Sequence, residues 1–84
     1  MESWLRCRVS AGMLPTEYTV VTTTSEGKLI SMFAPESFVS PEKGLIRVTV
    51  LDTRDGAALV YLPVSPFEIS SRTVRVPEKE LISL

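Results

Sequence analysis

The sequence has no histidine, and with histidine goes the side chain that most often serves as a general base near neutral pH. It also has no asparagine or glutamine, so the amides that read adenine edges in nucleic-acid grooves are missing. Cysteine occurs once, at Cys7. An internal disulfide is therefore impossible, and a structural zinc site has no ligand set. The four glycines are scattered, and no Gly-rich phosphate loop can be drawn through them. Nine Lys and Arg stand against ten Asp and Glu, a net charge of −1. Sequence-blind binding to nucleic acid needs a cationic surplus; this chain has none, although a local basic face stays open. The apolar runs fall far short of membrane-spanning length. The first six residues lack a basic start followed by an apolar run, so no signal peptide is expected. With a single thiol, a cytoplasmic setting is the expectation. Taken together, the absences predict a non-enzymatic protein with no metal and no cofactor.

What is present describes one ordered domain spanning residues 1–84. The chain is 44% hydrophobic and 23% charged, a globular balance. A domain of this length buries roughly 60–65% of its unfolded surface, which leaves modest stability. With disulfides and metals removed, self-association into a homodimer is the most available support.

Six prolines and four glycines cut the chain into short pieces rich in Val, Ile, Thr and aromatics, which favours strands. Residues 4–10 alternate, with Leu5, Cys7 and Val9 on one face and Arg6 and Arg8 on the other. Gly12 and Pro15 mark a loop. Residues 17–24 are β-branched and form a second strand. A turn at residues 25–28 leads to an antiparallel partner at residues 28–34, whose apolar residues on both faces predict a central or strongly curved strand. Pro35 to Val39 suits one helical turn, with Phe38 and Val39 plugging one end of the core, in what is otherwise the longest loop. The clearest unit is a hairpin over residues 45–63, turning at Asp55-Gly56, a pair suited to positive φ. Short pieces follow at residues 67–69 and 72–76. Pro77 ends a strand, Glu78 to Leu81 makes a single turn, and Ile82 with Leu84 adds a closing strand. The expected fold is mainly β: a small barrel of five or six short antiparallel strands with one or two single helical turns.

The tail Thr73-Val74-Arg75-Val76-Pro77, then Glu78-Lys79-Glu80-Leu81, then Ile82-Ser83-Leu84, resembles the end of SH3-like barrels, where a single 3₁₀ turn links the last two strands. The resemblance covers residues 71–84 closely and implies a small SH3-like β-barrel. Peptide-binding SH3 domains also carry a Tyr in that turn and an aromatic-rich opening. Here the turn offers Leu81 and the opening offers Trp4 alone, so the resemblance implies the barrel without proline-rich peptide capture. The stretch from Val9 to Val20 is similar to the start of short proteins of unknown function frequent in cyanobacteria, which implies no activity.

Candidate binding residues are Trp4, Arg6, Arg8, Tyr61, Arg72 and Arg75. If the first and a late strand are neighbours, the arginines form one patch able to hold phosphate or an acidic partner. The plainer reading is a solvated face paired with Glu68, Glu78 or Glu80. Trp4 and Tyr61 are the aromatics expected to be part-exposed, as interface anchors or as core-edge residues; most of the other aromatics belong to the core or its edge. Cys7 reads as a buried structural thiol. Asp52 and Asp55 read as turn chemistry, with Asp52 bonding the turn backbone. The run Thr22-Thr23-Thr24-Ser25 reads as a strand end and turn. The functional expectation is a protein-interaction or assembly module, binding another protein or itself through a strand edge or the Trp4/Tyr61 region. The alternative is a nucleic-acid or phosphate binder using the arginine face. No membrane partner is expected.

Overall fold

In the computed structural model, which describes residues 1–83, the chain is all strand, loop and single turns. Nine strands run in order: β1 (Glu2–Arg6), β2 (Arg8–Ala11), β3 (Glu17–Thr23), β4 (Leu29–Pro35), β5 (Val39–Ser40), β6 (Leu45–Arg54), β7 (Ala57–Tyr61), β8 (Thr73–Pro77) and β9 (Leu81–Ile82). Two lone 3₁₀ turns, Glu36–Phe38 and Glu78–Glu80, each follow a proline with extended ψ, as expected at both places. All pairings are antiparallel, and no helix is long and apolar enough to cross a membrane among the described residues.

The strand number exceeds the expected five or six for two reasons. Two strands are two-residue fragments, and the run at residues 4–10 is divided. β1 belongs to a sheet ordered β8-β7-β6-β1-β9, with β5 also on β6; β2 belongs to a second sheet ordered β2-β3-β4. The chain crosses between sheets at Cys7, whose N–H donates to the Gly44 carbonyl at 2.9 Å. The alternation survives the crossing. Leu5 is fully buried, and Cys7 and Val9 pack against the same core.

The hairpin β6–β7 turns where the residue types require it. Asp55 has φ 55° and Gly56 φ 79°, both left-handed, the geometry that lets a two-residue loop follow the strand twist. The register slips between Val50 and Asp52, so Leu51 is bulged outward and 53% exposed. Ala58, Val60 and Leu62 face inward and are fully buried, as their alternation predicts.

Two expectations are corrected at β4. It is the end of its sheet, not a central strand. Ile30, Met32 and Ala34 fill the core, while the outward Phe33 is met edge-on by Phe67, with ring centroids 5.1 Å apart. Phe67 N–H donates to the Ser31 carbonyl, and the Glu68 carboxylate accepts from both the Ser31 N–H and its hydroxyl. Residues 67–69 are thus an edge cover rather than a strand, inside the longest loop, 62–72. The expected loop at 35–44 instead holds a 3₁₀ turn and β5. The other expected plug is also divided: Val39 is buried, but Phe38 lies half-buried at the rim under Arg47. The core itself is entirely aliphatic, built on Leu5, Ile30, Met32, Ile46, Leu62 and valines, and the aromatics lie around it. The closing strand ends at Ile82; the part of it expected at Leu84 lies outside the described residues.

Candidate functional site

The six candidate residues do not form one patch. β8 is separated from β1 by β7 and β6, so the two strands are not neighbours. Arg75 is exposed on β8 opposite Leu59. Arg6 and Arg8 line one place and Tyr61 and Arg72 another, while Arg75 and Trp4 line neither.

The first place is a cleft of about 520 Å³ where the two sheets separate. Its walls are the crossing residues Arg6, Cys7 and Arg8, the end of β3 at residues 21–23, Leu29 at the start of β4, and Pro77, Lys79 and Glu80 at the second 3₁₀ turn. Arg6 and Arg8 line it from the crossing, and Lys79 lines it from the turn. Three cations thus surround the cleft against one carboxylate. That carboxylate, on Glu80, reaches Arg6 at 3.8 Å, with both side chains well exposed; such a pair is worth little. The Thr22 hydroxyl donates to the Arg6 carbonyl at 3.1 Å and fixes β3 against the crossing. Leu29 is 62% exposed on the rim. Cys7 is half-buried, and burial pushes its thiol up to about 11 from an ordinary 9.0. It is a neutral thiol in the wall, half-buried rather than fully buried as expected.

The second place is a pocket of about 150 Å³ on the outer face of the larger sheet. Strand register builds it. Trp4 lies opposite Arg47, Glu2 lies opposite Thr49, and Thr49 lies opposite Tyr61. Arg47 lays its guanidinium over the Phe38 ring at 4.7 Å, and Arg72 lays its own over Tyr61 at 4.3 Å. Arg72 is clamped further: Nε donates to the Leu62 carbonyl at 3.0 Å and Nη2 to the Pro63 carbonyl at 2.7 Å. Arg47 has no such acceptor. Its Nε is buried and without a hydrogen-bond partner, a deficit that ordinarily costs about 1–3 kcal/mol. Among the described residues no carboxylate lies within 4.0 Å of either guanidinium, since the ion pairs there are Arg6–Glu80 and Arg54–Asp52. The Asp52 carboxylate is directed to Arg54 rather than to the turn backbone, and Glu68 is bound to Ser31 rather than to an arginine.

Two residues of these sites, Lys79 and Arg47, carried no distinguishing signal. Lys79 reads as neutralised inside Glu-Lys-Glu. Arg47 lies on β6, and its neighbours Trp4 and Phe38 are set by register and by a turn.

Neither family models, curated proteins nor solved structures match this chain.

Proposed function

We propose that this chain is a non-enzymatic interaction module that holds an acidic segment of a partner protein in the cleft between its two sheets. One observation carries the proposal: Arg6, Arg8 and Lys79 all line that cleft, with Glu80 as the one acidic residue in its wall. Arginine forks suit carboxylates bidentately, and the exposed Leu29 offers an apolar contact beside them. The cleft wall has no aromatic ring, which disfavours nucleic acid, because single strands are held largely by stacking on aromatics. The net charge of −1 points the same way. The layout behind the SH3-like proposal is consistent with this scaffold role: a 3₁₀ turn joins β8 to β9, and β9 returns beside β1.

Fluorescence anisotropy with a labelled Glu- and Leu-containing peptide tests the proposal at physiological salt. Binding is expected, with Arg6→Gln plus Arg8→Gln weakening it about tenfold or more. No binding of the acidic peptide, or equal binding by the double variant, removes the cleft as the site. An oligonucleotide that binds instead, with affinity falling steeply in salt, returns the arginines to the nucleic-acid reading. Sedimentation of the free protein decides whether the partner is a second copy.

A further inference from the structure

We propose that the outer pocket between Arg47 and Arg72 is a second, independent site, and that it takes a phosphate group. Two guanidiniums, from separate parts of the chain, line it and are held in place before any ligand arrives. Phe38 and Tyr61 fix their planes, and the Leu62 and Pro63 carbonyls occupy one edge of Arg72. Such prior ordering lowers the cost of binding. The Nε of Arg47 is buried and has no acceptor in the protein, so the end of its guanidinium that a ligand in the pocket would meet is the Nη1/Nη2 pair. The groups on the wall that can donate are Arg47, Arg72, Thr49 and Tyr61.

A carboxylate has two oxygens and suits one arginine fork. A phosphate group has at least three acceptor oxygens and can be shared between two forks and a hydroxyl. The volume of about 150 Å³ is ample for a phosphate group. The one carboxylate on the wall is Glu2, on an exposed position of β1; it opposes an anion but leaves the pocket with a net positive charge.

The site reports on itself. Trp4, the single tryptophan, lies opposite Arg47 across β1 and β6. Inorganic phosphate is titrated into the protein at constant ionic strength against chloride, with acetate as the carboxylate control. Trp4 fluorescence and the Nε–H resonances of Arg47 and Arg72 are followed. Saturable changes with phosphate, and none with chloride or acetate, are expected. Arg47→Lys keeps the charge and loses the fork, so it should weaken phosphate about tenfold or more. Glu2→Gln should strengthen it severalfold. A phosphoserine peptide in a parallel arm separates the sources: tighter binding than free phosphate identifies a phosphorylated side chain as the ligand, and equal or weaker binding identifies the free ion. Phosphate acting no differently from chloride on the wild-type chain overturns the proposal, as does an Arg47→Lys variant that binds like wild type.

Discussion

Phe67 stands edge-on to Phe33, the two ring planes at 78° with centroids 5.1 Å apart. That contact fastens the 62–72 loop across the end strand β4, where the Ser31 amide and carbonyl would otherwise face solvent. An uncovered strand edge invites pairing with other chains. Phe67→Ala should cost about 1 to 2 kcal/mol, from the lost aromatic pair and its partial burial, and should raise aggregation during refolding. Urea unfolding and light scattering check both. Unchanged stability would show that the backbone bonds hold the loop without the ring.

The same cover should be sensitive to acid. Hydrogen bonds from the Ser31 hydroxyl and amide hold the Glu68 carboxyl below its ordinary 4.5. A lowered folded value means the stabilising contribution is present above the ordinary value and is lost as pH falls through the folded one. The protection of the Ser31 and Phe67 amides, their exchange taken relative to the unfolded chain at the same pH, should therefore fall on acidification below about pH 4.5, the ordinary value for this group. Ser31→Ala should move the Glu68 titration back up. A Glu68 titration at its ordinary value in the wild-type chain would remove the clamp.

Cys7 should be slow to react. Burial raises its pKa from 9.0 to about 11, and two pKa units mean about a hundredfold less thiolate at pH 8. Iodoacetamide should modify the folded chain far more slowly than the urea-unfolded one. The folded thiol keeps its proton above the pH at which the unfolded thiol loses it, so stability should fall as pH rises from about 9 towards 11. Cys7→Ala should flatten that fall. Equal alkylation rates in the folded and unfolded states would contradict the burial.

Two glycines are required for different reasons. Gly56 has φ +79° with open space around it, so Gly56→Ala meets only backbone strain, about 1 kcal/mol. A Cβ on Gly12 would lie 2.6 Å from the Glu17 carbonyl oxygen, a backbone atom that cannot turn aside. Gly12→Ala should therefore destabilise more than Gly56→Ala and should shift the amide resonances of β2 and β3. Denaturation midpoints rank the two variants, and the reverse ranking would show that the loop at residues 12–16 yields easily.

Much of the fold was legible wherever a residue type had only local work to do. Asp55-Gly56 announces a left-handed two-residue turn, and Val60 and Val76 announce inward faces by alternation. Pro35 and Pro77 announce the 3₁₀ turns that follow them. β4 is an end strand rather than a central one, although its outward Phe33 resembles a residue with a second sheet above it. Its cover is a single ring, thirty-four positions away in sequence (Phe67 against Phe33). The site was legible in part: Arg6 and Arg8 share a side by alternation, while Arg47 gained its meaning from Trp4 and Phe38.

The sequence leaves open whether the arginines form one patch, and three-dimensional order divides them. Composition and period determined that the protein is a small antiparallel β domain without histidine chemistry, because those follow from which side chains exist and how they repeat over two residues. Strand order and register are set by contacts between residues far apart in the chain, and only packing selects them. Those contacts brought Lys79 to the same cleft as Arg6 and Arg8, put two strands between Arg6 and Arg75, and brought Arg47 and Arg72 to one pocket.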